Sequence, residues 1–94
     1  MTPVVYRFRL YITGNAPNST KALANLQELC RRHLPDRHDV EVIDLIHEPS
    51  RALADQVFIT PTLIKLTPLP EVRITGSLTD VAPILSMLGP ACGG

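Results

Sequence analysis

An α/β domain is the fold class the sequence predicts, with elements in the order βαβαββα around a four-strand mixed sheet. Three observations carry this. Two runs of strand character, residues 4–12 and 40–46, flank a long helical pattern, which is the spacing of a parallel strand–helix–strand crossover. Two further short apolar runs are separated by the proline-stiffened turn Thr67-Pro68-Leu69-Pro70-Glu71, the mark of an antiparallel hairpin. A last helical period then stops at Gly89-Pro90.

The first strand alternates from Tyr6, with Tyr6, Phe8, Leu10 and Ile12 on one face and Arg7, Arg9 and Tyr11 on the other, which predicts one well-buried face. Gly14 and Pro17 punctuate the loop after it, and Asn18 or Ser19 is placed to cap the helix that follows. Ala22, Leu23, Leu26, Leu29, Cys30 and Leu34 recur at helical spacing, and Pro35 ends the helix at Leu34. Residues 40–46 are rich in β-branched side chains and form the second strand, in which Asp44 must find a partner or a sheet end. Glu48-Pro49 opens a short second helix, with Pro49 at its first position and Ala52, Leu53, Val57 and Phe58 as its inner face. Thr60-Pro61-Thr62 leads into the third strand, which reaches Leu66, and residues 72–75 form the fourth. Thr79 or Asp80 caps the last helix, whose inner face is Val81, Ile84, Leu85 and Leu88, with Pro83 tolerated in the first turn. Residues 89–94 read as a loose tail, so 1–94 is expected to be one domain.

Composition narrows the function classes. Nine basic residues balance nine acidic ones, so the positive field of a nucleic-acid or anionic-membrane binder is absent. The longest apolar stretches are too short to span a bilayer, and the charged-then-apolar order of a signal peptide is lacking, which predicts a cytoplasmic protein. Cys30 and Cys92 are far apart, which argues against a disulfide framework and for a reducing compartment.

Chemistry-bearing candidates are few. Asn15-Ala16-Pro17-Asn18 has the spacing of the Cys-x-x-Cys loop of thioredoxin-like redox proteins, with an asparagine where each sulfur is needed, and turn formation and capping explain both asparagines. Cys30 falls in the apolar stripe and reads as a small core residue rather than a reactive thiol. His33, His38 and His47 lack the partners of a metal set, and Asp44 with Glu48 lacks a nucleophile. No Gly-rich phosphate loop is present, so neither a metal nor a cofactor is expected.

Read together, four stretches resemble the KaiB family of circadian-clock proteins: residues 10–19, Val42-Ile43-Asp44-Leu45 followed by Glu48-Pro49, Thr60-Pro61-Thr62-Leu63 with Lys65, and Pro68-Leu69-Pro70 leading to Arg73 and Gly76. The resemblance runs from residue 6 to about 88. It implies a non-enzymatic regulator that binds a KaiC-type hexameric ATPase, in competition with the KaiB-like sensor domain of a histidine kinase. It also implies two folds: a thioredoxin-like monomer that binds, and a βαββααβ form that assembles into dimers or tetramers. Partner contacts then fall to Lys65 and Arg73, with Asp55 and Gln56 at the end of the second helix, and the structural loop is Gly14, Asn15, Pro17, Asn18 and Pro61. Gln56 and Glu41 stand where clock members carry lysine, which alters charge complementarity. Met87 replaces a family glycine and favours an unbroken last helix, hence the thioredoxin-like form. The alternative to a KaiB-like regulator is a thioredoxin-like redox or glutathione-binding protein.

Overall fold

In the computed structural model, which describes residues 5–80 and 82–88, seven elements follow the expected order. They are β1 (Tyr6–Ile12), α1 (Pro17–His33), β2 (His38–Asp44), α2 (Ser50–Asp55), β3 (Thr62–Thr67), β4 (Val72–Thr75) and α3 (Ala82–Leu88). The sheet order is β2-β1-β3-β4, with β1 parallel to β2 and antiparallel to β3, and β3 antiparallel to β4. Residues 82–88 are helical, so the chain takes the thioredoxin-like arrangement of the two that the resemblance allows.

Two apolar layers hold the sheet. On one face Tyr6, Phe8 and Leu10 of β1 and Leu63 of β3 meet Ala22, Leu26, Leu29 and Cys30 of α1 and Ile84, Met87 and Leu88 of α3. On the other, Tyr11, Ile43 and Ile64 meet Val57, with Ala52 of α2 packed against them. Each fully buried Leu or Ile contributes roughly 1.5–3 kcal/mol. The second layer corrects the expectation of a single buried face on β1: Tyr11 is as inaccessible as Leu10, because β1 is central and α2 covers its other side.

Several boundaries differ from the expected ones. Helix α1 starts at Pro17 with Ala16 as its N-cap and no side-chain cap, so neither Asn18 nor Ser19 plays that part. Ser19 instead turns inward, where its Oγ accepts the Thr13 N–H at 3.1 Å. Strand β2 starts two residues earlier than expected, where His38 pairs with Tyr6, and ends two residues earlier, where the Asp44 carboxylate accepts the N–H groups of Gly14 (3.0 Å) and Ile46 (2.9 Å) as the chain leaves the sheet. Pro49 is the N-cap of α2 rather than its first residue, and Gln56 in the left-handed region (φ 55°) ends the helix. That turn breaks the helical phase. Val57 points into the core while Leu53 and Phe58, expected inside, are 80% and 89% exposed. In α3, Met87 takes the inner place expected of Leu85; Val81 lies outside the described residues, as do 89–94. The Thr60–Pro61 bond is cis.

Candidate functional site

The residues expected to meet a partner separate onto the two faces of the sheet. Arg73 of β4 is opposite Ile64 in register, and Lys65 is opposite Val72. Successive side chains on a strand alternate in direction. Arg73 therefore shares the α2 face with Ile64, and Lys65 shares the α1/α3 face with Leu63.

Lys65, expected as a partner contact, is not at the surface. It is 3% exposed, and its Nζ donates to the Met87 carbonyl at 3.1 Å. The Tyr6 hydroxyl donates to the adjacent Leu88 carbonyl at 2.7 Å. These two carbonyls belong to the last turn of α3, where they have no partner within the helix, and a cation is favourable at that end.

On the α2 face Arg73, Gln56 and Asp55 come together. The Arg73 guanidinium donates to the Gln56 carbonyl at 3.1 Å and sits 3.7 Å from the Glu71 carboxylate. It is thereby held at the C-terminal end of α2, the negative end of the helix. Asp55 is tied down in turn. Its carboxylate accepts from Arg9 at 2.8 Å and from the Tyr11 hydroxyl, and Arg9 also reaches Glu41 at 3.0 Å. Arg51 joins the other Glu41 oxygen at 3.2 Å. Burial disfavours the Asp55 anion, yet the hydrogen bonds from Tyr11 and Arg9 outweigh it and hold the carboxyl below its ordinary range. Burial, then the bond to Asp55, pushes the Tyr11 phenol up to about 12. The result is a network of two arginines, Arg9 and Arg51, with three carboxylates, Asp55, Glu41 and, 3.5 Å from Arg51, Glu48; Leu53 and Phe58, close by in the chain, are exposed. Sequence reasoning placed both inside: Phe58 by continuing the helical period past Gln56, and Leu53 by giving α2 an inner face that in the structure only Ala52 supplies.

At one end of the sheet the loop after β1 joins the loop before β3. Gly14 adopts φ +49°, and Thr13 Oγ1 lies 2.6 Å from Thr60 Oγ1. Pro17 takes the first helical position, Asn15 and Asn18 are exposed, and the buried Pro61 accepts the Gly76 N–H at 3.0 Å. Nothing in this loop resembles a nucleophile and its base. Burial pushes the Cys30 thiol up to about 11, which leaves it protonated and under α1. Among the described residues no three His, Cys, Asp or Glu side chains gather to hold a metal ion, and no helix is long and apolar enough to cross a membrane.

Comparison with known proteins bears on the family and the fold. The KaiB domain family model matches residues 9–90. The circadian clock protein KaiB3 of Synechocystis sp. is 43% identical over 77 residues, covering 82% of this chain and 76% of its own. The circadian clock oscillator protein KaiB of Trichodesmium erythraeum is 37% identical over 87 residues, covering 90% and 84%. In three dimensions the N-terminal domain of Synechococcus elongatus SasA superimposes with a TM-score of 0.75 at 18% identity, covering 94% of this chain and 83% of that one. Chloroplastic thioredoxin z gives 0.76 at 17%, covering 96% and 80%. At those identities the two structures speak for the thioredoxin-like fold alone.

Proposed function

The chain belongs to the KaiB family, and from that premise we propose that it is a non-enzymatic, cytoplasmic regulatory protein that docks on a KaiC-type hexameric ATPase. The observation that carries this reading is the surface at the end of α2. Arg73 is fixed against the Gln56 carbonyl, Asp55 is fixed by Arg9 and Tyr11, and Leu53 and Phe58, within three residues of Gln56 in the chain, are exposed. Rigid charged groups around exposed apolar side chains are the composition of a protein-binding centre rather than of an active site. Competition with a KaiB-like sensor-kinase domain for that ATPase is part of this reading and follows from the family resemblance; the SasA N-terminal domain contributes the shared fold alone.

Departures from the clock members are absorbed locally. Glu41 replaces a lysine, but Arg9 and Arg51 both bind its carboxylate, so the reversed charge is paired within the protein. Gln56 meets Arg73 through its backbone, a contact that any side chain at that position can preserve. Of the four expected contacts, Arg73, Asp55 and Gln56 form the docking surface, while Lys65 acts from beneath by holding α3. The thioredoxin-like redox reading is disfavoured by the asparagines at 15 and 18 and by the buried, protonated thiol of Cys30.

The test is co-sedimentation with a purified KaiC-type hexamer, with ATP and with ADP. Wild-type protein binds, and Arg73→Ala weakens binding by at least about tenfold, as expected for an arginine at an interface centre. Absence of binding in both nucleotides, or full binding by Arg73→Ala and Phe58→Asp alike, overturns the assignment.

A further inference from the structure

Helix α2 is fastened to the sheet almost entirely by polar groups. None of its residues is fully buried, and its half-buried side consists of Arg51, Ala52 and Asp55. We propose that α2 is a polar latch: it opens from the sheet by itself while the rest of the fold stays closed, and Tyr11, Arg9 and Glu41 set how often.

The other helices show what α2 lacks. Helix α1 buries Ala22, Leu26, Leu29 and Cys30, and α3 buries Ile84, Met87 and Leu88. In α2, Leu53 is exposed, and Ala52 is the one side chain that packs on the cluster of Tyr11, Ile43, Val57 and Ile64. A helix of six residues is not stable alone, so contacts from three strands hold it. From β1 the Tyr11 hydroxyl donates to the Asp55 carboxylate and lies 3.2 Å from the Arg51 carbonyl oxygen, while Arg9 donates to Asp55 at 2.8 Å. From β2 the Glu41 carboxylate accepts from Arg51 at 3.2 Å, and from β4 Arg73 donates to the Gln56 carbonyl at 3.1 Å.

Most of these contacts are within reach of water. The side chains of Arg9, Asp55 and Arg51 are between 23% and 32% exposed, and that of Glu41 is 50% exposed. Ion pairs so placed add little net stability, because opening exchanges them for bonds to water. Tyr11 alone of these groups is fully buried. Both ends of the segment are anchored. Before it the Asp44 carboxylate holds the Gly14 and Ile46 N–H groups, and after it Val57 returns to the core beyond the left-handed Gln56. The moving unit is therefore residues 47–56. Opening takes Asp55 and the Gln56 carbonyl away from Arg9 and Arg73, so the proposed docking surface exists only in the closed form. That consequence rests on the docking reading; the latch itself does not.

The experiment is native-state hydrogen exchange on the free, full chain in urea below the unfolding transition. The Gln56 and Val57 N–H groups, bonded to the Leu53 and Ala52 carbonyls, report on α2. Their protection is expected to lie at least about tenfold below that of β1 and β3 and to fall more shallowly with urea, since local opening exposes less surface than unfolding. Arg9→Met and Tyr11→Phe each lower it by at least about a further threefold. Raising salt from about 0.01 M to about 1 M, which shortens the Debye length from about 30 Å to about 3 Å, also lowers it, and does so less in Glu41→Gln. Exchange of Gln56 and Val57 on the same urea line as β1 and β3, opening of α2 only together with β4 and α3, or protection unmoved by both substitutions overturns the proposal.

Discussion

Tyr11→Phe removes one hydroxyl from the network beneath the docking surface, and its consequence can be worked out at two pH values. The ring is fully buried between β1 and α2 in either case. At neutral pH the hydroxyl donates to Asp55 and lies 3.2 Å from the Arg51 carbonyl oxygen. Losing a buried hydrogen bond to a charged acceptor costs about 1.5–3 kcal/mol. In a domain of this size each kcal/mol moves the melting temperature by roughly 4–8 °C. At high pH the sign changes. The folded protein raises the phenol from 10.0 to about 12, so the unfolded chain releases this proton first and stability falls as pH rises through that window. A shift of two units corresponds to roughly 2–3 kcal/mol, all of it present below the unfolded value and lost above the folded one. Phe has no proton to lose. Urea unfolding of both proteins from about pH 8 to about pH 12 should therefore show a gap that favours wild type and then closes or inverts. Equal midpoints at the lower pH, or a gap that stays constant across the series, would refute the reasoning.

Lys65→Met keeps the apolar stem but leaves the Met87 carbonyl without its donor; relief of a buried charge offsets part of this, for a net loss of about 1 kcal/mol. Amide exchange in residues 82–88 should accelerate while that of β1 changes little, and unaltered exchange in α3 counts against the cap. Gly14→Ala forces a side chain into φ +49° and brings Cβ to 2.7 Å from Ile46 Cδ1. Ile46 is exposed and can swing away, so backbone strain of about 1 kcal/mol is the expected loss by thermal denaturation. Cys30→Ser buries a hydroxyl among leucines and lowers stability by about 1–3 kcal/mol, while the native thiol resists alkylation at neutral pH. Rapid alkylation of Cys30 in the folded protein would contradict its buried, protonated state.

The order of elements was legible in the sequence because its signals are local. Alternation in β1, the helical stripe from Ala22 to Leu34, and prolines at turns act within a few residues of themselves. The need of Asp44 for a partner was legible too, though not that Gly14 and Ile46 would supply it. The candidate site was readable only in part. Phe58 was placed inside because a helical period continued past Gln56 gives that phase, and the left-handed turn that resets it carries no glycine to announce it; Leu53 was placed inside because its apolarity does not tell which face of a six-residue helix meets the sheet. Likewise Pro17 starts α1 without help from the asparagines around it.

Which face a residue occupies is where sequence and structure divide. The sequence by itself determined that β1, β3 and β4 are strands and that Lys65 and Arg73 lie on two of them. Only the tertiary structure decided that Lys65 is buried under α3 while Arg73 stands on the α2 face, and that Asp55 is gripped by Arg9 and Tyr11 from a distant strand. The physical reason is that periodicity fixes relative orientation within one strand, whereas register between strands and the layers packed above and below them fix which of those orientations is inside. Burial is a property of both layers at once, and no single stretch of chain contains it.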